Sequence, residues 1–467
     1  MDKNKMGYEP IPGLITKMSL PIIFSMLIQA LYNVVDSIFV SRVSEDALTA
    51  VSLAFPMQLI VIAAFVGLST GISSAISRKL GAKDHEAATQ VAEHGVLIAA
   101  FLYILVAVIG YFVATPLFQG FTIGSFTYTG FTQNPDIIKY GITYVKIVMI
   151  FSFGSIFGHT GTGVFQGTGD MIKVMIAQLI GAGLNLILDP ILIFGIGPIP
   201  AMGVKGAAIA TVIAQIVAMV YIWSQLLSGK SIIKMAIKKF KLDMHIIGQI
   251  IMVGVPSAIM QGLASVMLLG MNLILSRFGD TTITVMGVYF KIQSMVFMPI
   301  FGLAIGTMPV VGFNYGAKNK ERIKKAVKFS IIAASTFTTL CLVIFQLFPA
   351  SLLGMFNASE NMIEIGVPAL RTISLIYPLV ATTIILSTAF QGLGKAYYSL
   401  VISIVRQLVI LLPVAYLLSN LGNVDTVWFA FLISEVVAII LATVLFTGTF
   451  KKAVHHWEDE EEATITA

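Results

Sequence analysis

Apolar runs long enough to cross a lipid bilayer recur along the whole chain, and they constrain its fold more than any other feature. A spanning helix needs about 20 consecutive, mostly apolar residues. Such runs lie near residues 15–40, 49–76, 91–118, 137–158, 170–195, 204–227, 247–276, 284–312, 326–350, 364–391, 397–418 and 427–449. We therefore predict an all-α polytopic membrane protein with twelve transmembrane helices.

The composition excludes a soluble enzyme and a nucleic-acid-binding domain. Of the 467 residues, 57% are hydrophobic and 11% are charged, whereas soluble domains carry roughly 25% charged residues. SGKS at 228–231 has Ser224 where a phosphate-binding loop needs glycine, and the six histidines form no clear metal-ligand set. We expect no enzyme, no cofactor and no nucleic-acid partner, and we expect an ion gradient to supply the energy.

The distribution of Lys and Arg sets the expected orientation, because basic residues collect in cytoplasmic loops. With both termini cytoplasmic, most of the 29 basic residues fall on the cytoplasmic side. Only Arg42, Lys205 and Arg277 fall in loops on the other side. We therefore predict a multi-pass protein of the cell (inner) membrane with cytoplasmic termini, and we expect it to be a monomer.

An internal repeat divides the chain into two halves. Pro21 aligns with Pro256, Gln58 with Gln293, and FQGTG at 165–169 with FQGLG at 390–394. Each half contains six spans, so both have the same orientation, and we expect a pseudo-two-fold axis along the membrane normal with a cleft between the lobes. The predicted parts are an N-lobe at 1–227, a cytoplasmic linker at 228–246, a C-lobe at 247–450 and an acidic cytoplasmic tail at 451–467. Small-residue packing is the expected role of the paired glycines, Gly67 with Gly71 and Gly302 with Gly306.

Polar groups at similar depth in three N-lobe spans predict a cation site. Asp36 lies roughly 9 Å inside its helix end, Asp189 roughly 12 Å and Thr211 roughly 9 Å, at 1.5 Å per residue. Asn185 precedes Asp189 by one turn and shares its helix face, and Pro190 frees a backbone carbonyl nearby. These oxygens could hold Na⁺, or the two carboxylates could share a proton.

The alternative is a purely structural role, in which each acid only forms hydrogen bonds with neighbouring hydroxyl groups. The repeat argues against it, because Asp36 aligns with Met271, Asn185 with Ile410 and Asp189 with Val414. If the fold itself required these polar groups, the second half should have kept a polar counterpart. We therefore interpret the cluster as functional.

The second half has its own ionisable groups inside spans, namely Lys291, Arg406 and Glu435. An ion pair of Glu435 with Lys291 or Arg406 is the favoured interpretation, and substrate contact or gating is the alternative. We keep Gln58 and Gln293 as further candidates for substrate contact or gating.

The two six-helix repeats carry several motifs of one family. NLILDP at 185–190, YFKIQSMVFMPIFGLAIGTMPVVGFNYGAK at 289–318 and FQGLG at 390–394 accompany the acid in helix one. The chain resembles the multidrug and toxic compound extrusion (MATE) family in its bacterial branches. The resemblance implies a V of two lobes that open alternately to each side and export organic cations or amphipathic drugs in exchange for Na⁺ or H⁺.

The resemblance also implies that the N-lobe cation site consists of Asp36, Asn185, Asp189 and Thr211. One family branch carries additional acids in helices seven and ten, but here Glu364 lies at the outer end of helix ten, so we expect no such C-lobe site. Rival functions are a flippase for a lipid-linked precursor, an exporter of an endogenous metabolite, and a passive channel or membrane receptor.

Overall fold

The computed structural model describes residues 4–123, 126–229, 231–235, 240–356 and 358–466, and most of these residues are helical. Five residues of the predicted linker, 230 and 236–239, lie outside the described residues, as does Ala467 of the predicted tail.

Long helices follow one another through the first half of the chain. They are α1 (Ile11–Ser41), α2 (Glu45–Gly81), α3 (His85–Gln119), α4 (Pro135–Ile150), α5 (Phe153–Thr168), α6 (Met171–Phe194) and α7 (Val204–Leu227). A 3₁₀ turn, Lys5–Gly7, precedes them. The loop after α3 forms an antiparallel hairpin of strands β1 (Phe121–Ile123) and β2 (Phe126–Tyr128), in which Phe121 pairs with Tyr128.

The second half repeats this order with more interruptions. Its helices are α8 (Met244–Leu275), α9 (Asp280–Gly316), α10 (Lys320–Leu347), α11 (Pro349–Gly354), α12 (Glu360–Ser374), α13 (Tyr377–Gly392), α14 (Ala396–Ile404), α15 (Leu412–Ser419) and α16 (Val424–Thr466). A 3₁₀ turn, Ser276–Phe278, follows α8. Helix α16 continues past the predicted span end near residue 449, so the described part of the acidic tail is helical.

Hydropathy and length support the predicted membrane topology. Ten helices within the described ranges are long and apolar enough to cross a membrane, and two bent pairs bring the total to as many as twelve. The pairs are α4 with α5, bent by 44°, and α12 with α13, bent by 49°. The prediction of an all-α polytopic membrane protein is confirmed.

The glycine-rich stretch after residue 153 is helical as far as Thr168, so the predicted end of the fourth span near residue 158 is wrong. The glycines serve close packing instead of ending the helix. A Cβ on Gly163 would lie 2.7 Å from the Ser69 carbonyl oxygen, and one on Gly167 would lie 2.9 Å from the Ser73 carbonyl oxygen. Helix α5 therefore approaches α2 at a distance that larger residues would prevent.

The predicted packing role of the paired glycines is confirmed for Gly71, Gly302 and Gly306. A Cβ on Gly71 would clash with the Ile250 carbonyl of α8, and one on Gly302 or Gly306 would clash with α1 at Ile23 or Ser19. These glycines thus permit close backbone contact between helices.

Two compact units divide the chain by their internal contacts. One contains residues Phe24–Ile76 and His85–Gly254, and the other contains Met1–Ile23, Ser77–Asp84 and Val255–Ala467. Helices α1, α2 and α8 contribute residues to both units. The predicted lobe boundaries at 227 and 247 stay a prediction.

The eleventh span contains a π-helical turn, Val405–Leu411, between α14 and α15. Pro413 follows it within the same continuous helix, where it cannot donate a backbone hydrogen bond to the carbonyl of residue 409. π-helical turns are rare and often mark functional sites. This turn carries Arg406, one of the ionisable residues that the sequence singles out.

Candidate cation site and adjoining cavity

Four polar side chains of the first half meet within one compact unit. Asp36 on α1 and Asp189 on α6 lie close enough for their carboxyl groups to interact directly. The side-chain amide of Asn185 lies 3.1 Å from the hydroxyl oxygen of Thr211 on α7. Asp189 is 1% exposed and Asn185 is 2% exposed, so both are shielded from the surroundings. The structure thus brings together all four predicted site residues, while their binding of a cation stays a prediction.

The amide of Asn185 can serve two neighbours, depending on its orientation. In one orientation its nitrogen donates a hydrogen bond to Thr211 Oγ1 at 3.1 Å. Turned over, the nitrogen donates to Asp189 Oδ1 at 3.1 Å, and the amide oxygen accepts from the Thr211 hydroxyl. An ionised carboxylate can only accept hydrogen bonds, so the second orientation is the one that satisfies an ionised Asp189.

Helix spacing and close helix approach create this geometry. Asn185 and Asp189 lie four residues apart on α6, so the same face carries both. Pro190 lies inside α6 and cannot donate to the carbonyl of residue 186, which leaves that carbonyl as a further acceptor. Gly206 lets α7 approach α6, because a Cβ there would lie 2.9 Å from the backbone nitrogen of Ile193.

Two tyrosines that the sequence does not single out surround the acids. Tyr32 lies one turn before Asp36 on α1 and interacts with Thr211 and with both carboxyl groups. Tyr144 on α4 is 5% exposed, interacts with both acids, and accepts a hydrogen bond from Gln58 Nε2 at 3.1 Å. Gln58 is therefore linked to the acid pair through Tyr144. The four-residue spacing could have identified Tyr32, whereas no local pattern marks Tyr144.

A cavity of about 180 Å³ adjoins the acid cluster within the same unit. Tyr32, Asn185 and Thr211 belong to its wall, so the cavity and the cluster share three side chains. The remaining polar lining includes Gln29, His159, Gln178 and Gln215. Among the described residues that line the cavity, none is Asp, Glu, Lys or Arg. A small neutral space thus lies directly beside a pair of acids.

The other predicted candidates lie in the second unit. Arg406 Nη1 lies 3.4 Å from Glu435 Oε2 on α16, which confirms the expected ion pair and identifies Arg406 as the partner. The Glu435 side chain is 3% exposed and that of Arg406 is 23% exposed. Lys291 is exposed and Gln293 is half-buried, both on α9. Gating or substrate contact by these four residues stays a prediction.

The donor atoms around the acids suit a hard cation or a proton. No group of three or more His, Cys, Asp or Glu side chains that could hold a metal ion occurs in the described ranges. The acid cluster instead combines two carboxyl groups with neutral amide and hydroxyl oxygens. Asp36 Oδ1 is buried and has no hydrogen-bond partner among the described residues. An unsatisfied buried acceptor costs about 1–3 kcal/mol, and a bound proton or Na⁺ would remove that cost.

Known proteins of similar sequence are named as a transporter and as an export protein. The chain is 25% identical over 426 residues to the "FAD transporter" of Shewanella oneidensis, covering 91% of each protein. It is also 25% identical over 427 residues to the "Multidrug export protein MepA" of Staphylococcus haemolyticus, covering 91% of this chain and 90% of that protein.

Solved structures of transporters share the fold over almost the entire chain. A MOP superfamily transporter from Pyrococcus furiosus matches with a TM-score of 0.88 and 28% identity, covering 97% of this chain and 99% of the other. An outward-facing multidrug resistance MATE family transporter of the MOP superfamily matches with a TM-score of 0.88 and 26% identity. This match also covers 97% of this chain and 99% of the other. The family model MatE matches residues 21–191 and 256–417. With most of both halves matched, the chain belongs to the MatE family, in agreement with its sequence resemblance to the multidrug and toxic compound extrusion transporters.

Proposed function

We propose that the chain is a secondary active antiporter that exports small organic cations and amphipathic drugs in exchange for Na⁺ or H⁺. The observation that carries the proposal is the interacting pair of carboxyl groups, Asp36 and Asp189, on two membrane helices. A carboxylate at membrane depth costs about 2.5–3.5 kcal/mol on insertion scales, and such residues commonly mark ion or proton pathways. The relative named as a multidrug export protein supports the proposed class of cargo.

The residues fit either coupling ion. Na⁺ would be held by Asp36, Asp189 and the side-chain oxygens of Asn185 and Thr211, with the carbonyl of residue 186 as a further ligand. A proton would instead be shared between the two carboxyl groups, because two close like charges disfavour joint ionisation. With either Na⁺ or a shared proton, the buried Oδ1 of Asp36 gains a partner.

Entry of the cation from outside then favours release of the cargo, and departure of the cation to the cytoplasm resets the transporter. One charge that moves down 100 mV supplies about 2.3 kcal/mol. This energy supports a cargo gradient of several tens-fold, since about 1.4 kcal/mol corresponds to a factor of ten.

Helix α1 is the proposed link between cation binding and the access change. It carries Asp36 in one compact unit, while its first part, up to Ile23, belongs to the other unit. Pro21 interrupts its hydrogen bonding near this division, and prolines commonly allow helices to bend. A change in the bend of α1 could therefore transmit the state of the acid pair, and the two lobes would open alternately.

The same reading gives the location and assembly of the protein. We propose that it lies in the cell (inner) membrane with both termini in the cytoplasm, as the bias of its Lys and Arg residues favours. We propose a monomer, since one chain supplies all the residues of the acid cluster.

Transport assays in reconstituted vesicles test the proposal. Efflux of the cationic dye ethidium is measured with a Na⁺ gradient or a pH gradient imposed separately, which also identifies the coupling ion. Asp36→Asn and Asp189→Asn should each abolish gradient-driven efflux, whereas the matched control Glu364→Gln, an exposed acid on α12, should retain it. Unimpaired efflux by either aspartate variant would refute the proposed cation site.

A second candidate cargo is an endogenous heteroaromatic metabolite. The relative named as an FAD transporter covers the chain as fully as the drug exporter does. The neutral polar cavity beside the acids is compatible with such a ring. Counter-transport of radiolabelled flavins in the same vesicles would distinguish this cargo from simple cationic drugs. A flippase for a lipid-linked anion is disfavoured, because Arg406 is paired with Glu435.

A further inference from the structure

We infer that the second half of the chain binds the phosphate group of an anionic phospholipid, at the proposed cytoplasmic ends of α14 and α16. The residues of this headgroup site are Lys395, Tyr398, Thr449 and Lys452. All four belong to the compact unit that does not contain the acid cluster. The inference therefore goes beyond the proposed transport function.

The Tyr398 side chain connects the two helices at the headgroup site. Its ring packs on the buried ring of Phe390, with 5.3 Å between the centroids, and its hydroxyl group interacts with that of Thr449 on α16. The ammonium groups of Lys395, just before α14, and of Lys452 on α16 lie close enough to act electrostatically on the Tyr398 hydroxyl group. Two ammonium groups and two hydroxyl groups are thus gathered from two helices.

The positive charge of the headgroup site has no acidic partner among the described residues. The ion pairs of those residues include neither Lys395 nor Lys452. Further along α16, Glu458 bonds to Lys320 at 2.9 Å instead. Like charges that lie near each other without an anion repel, so an anionic ligand would stabilise the site.

The headgroup site lies at the level of the polar lipid layer. Lys395 directly precedes a candidate membrane span, Ala396–Ser419. Lys452 lies about 42 Å from the start of α16 at 1.5 Å per residue, and a bilayer with its headgroup layers is about 40–45 Å thick. Tyr397, beside Tyr398, is exposed, and tyrosine is enriched at membrane–water interfaces. A phospholipid phosphate can therefore reach the site without leaving the bilayer.

Apolar surface continues from the headgroup site toward the centre of the bilayer. On α14, Val401 lies one turn beyond Tyr397 and is also exposed. On α16, Val444, Gly448 and Lys452 follow one another at four-residue spacing and so share a helix face. Val444 is exposed, and a Cβ on Gly448 would meet nothing within 4 Å. The acyl chains of a phospholipid can lie along these surfaces, whereas a soluble phosphate would gain nothing from them.

Charge favours an anionic headgroup over a zwitterionic one. Each lysine near an anionic membrane surface contributes a factor of about five to binding. The cationic end of a phosphatidylcholine headgroup would instead meet two lysines without an acidic partner. Phosphatidylglycerol has no such cation, so its phosphate can accept hydrogen bonds from Lys395, Lys452 and the Tyr398 hydroxyl group.

The first half of the chain shows that the fold does not require this positive charge. FQGTGD at 165–170 aligns with FQGLGK at 390–395, so Asp170 stands where Lys395 is. Asp170 forms an ion pair at 3.0 Å with Lys173, which aligns with Tyr398. The same turn thus carries a pair of opposite charges in one half and a lysine beside a tyrosine hydroxyl group in the other.

Native mass spectrometry of the purified full-length protein in detergent tests the inference. Dioleoyl phosphatidylglycerol and dioleoyl phosphatidylcholine are titrated separately, and the first phosphatidylglycerol molecule should bind at least roughly tenfold more tightly, as expected for two lysines that act on one phosphate. Competition with soluble glycerol phosphate separates a lipid site from a site for a free phosphate ester. Millimolar glycerol phosphate should not displace the lipid, because it lacks acyl chains.

Charge-removing variants locate the bound lipid. Lys395→Gln combined with Lys452→Gln should weaken phosphatidylglycerol binding at least roughly tenfold. Lys325→Gln combined with Lys328→Gln is the matched control, since it removes the same charge from exposed positions on α10, and it should leave the first binding event almost unchanged. If the first variant fails to fold, Lys395→Asp replaces it. That change copies the residue of the first half and places a favoured N-cap residue before α14, and it should remove the preference for phosphatidylglycerol.

Four results would each overturn the inference. They are equal binding of the two lipids, displacement of the lipid by glycerol phosphate, unchanged affinity in a folded Lys395 variant, and an equal loss of affinity in the α10 control. The titration needs neither an ion gradient nor a transported cargo. Its outcome is therefore independent of the antiport assay.

Discussion

Breaking the ion pair between Arg406 and Glu435 should have an asymmetric effect on stability. The two side chains differ in exposure, with Glu435 at 3% and Arg406 at 23%. Removing Arg406 therefore leaves a buried carboxylate without its cation. Removing Glu435 leaves a guanidinium that is partly exposed. A guanidinium is also more weakly hydrated than an ammonium group, so leaving it unpaired costs less.

Exposure and geometry set the expected size of each effect. Loss of one partner from a buried pair costs about 3–5 kcal/mol, and we expect Arg406→Gln to fall within that range. Glu435→Gln should cost about 1–2 kcal/mol, below that range, because the remaining Arg406 is more exposed. The double variant should cost about 1 kcal/mol, since neutral replacements of a buried pair are often close to neutral in effect. The single 3.4 Å contact is long for a charge-assisted hydrogen bond, which also makes the pair itself dispensable.

Thermal and denaturant unfolding of the purified variants in detergent measures these differences. The double variant should be more stable than Arg406→Gln alone, which is the signature of a coupled pair. The reasoning is refuted if the two single effects simply add, or if Glu435→Gln destabilises the protein more than Arg406→Gln does.

Three further substitutions test the geometry. Gly206→Leu should destabilise the protein by about 1–3 kcal/mol through overpacking between α6 and α7, and an unchanged melting temperature would contradict that close approach. Tyr144→Phe removes the acceptor of the Gln58 hydrogen bond and should lower ethidium efflux severalfold while expression is retained. Efflux at the wild-type rate would show that the Tyr144 hydroxyl group does not support the acid pair. Glu458→Gln removes the exposed contact with Lys320 at 2.9 Å and should leave the melting temperature unchanged, so a clear drop would reveal a structural role for the tail.

The sequence predicts the acid cluster because its evidence is local. The depth of Asp36 and Asp189 follows from counting residues, and the shared face with Asn185 follows from helix periodicity. The repeat adds a comparison within the chain, since Met271 and Val414 stand where the acids would be. Tyr144 is different, because its place beside the acids depends on how α4 packs, and its own sequence neighbourhood carries no corresponding pattern.

Features that arise from packing cannot be predicted from the sequence for the same reason. Glycine is a poor helix former, so the stretch after residue 153 predicts an earlier helix end, yet close contact with α2 favours Gly163 and Gly167 within α5. The π-helical turn at Val405–Leu411 has no marker in the sequence apart from Pro413. The cavity is defined by side chains from several helices, including Gln29, Gln178 and Gln215, which come together only in three dimensions.

Helix α16 runs for 43 residues, or about 65 Å at 1.5 Å per residue, against a hydrocarbon thickness of about 30 Å. The end of α16 contacts the α9–α10 connection through a ring contact of 5.3 Å between Trp457 and Tyr315 and through the exposed bond from Lys320 to Glu458. A chain that is otherwise mostly embedded in the bilayer offers little mass for particle alignment in electron microscopy. A fiducial domain fused in helical register to the end of α16 would have a continuous helical attachment to the transporter, and it would make images of its separate conformations easier to sort.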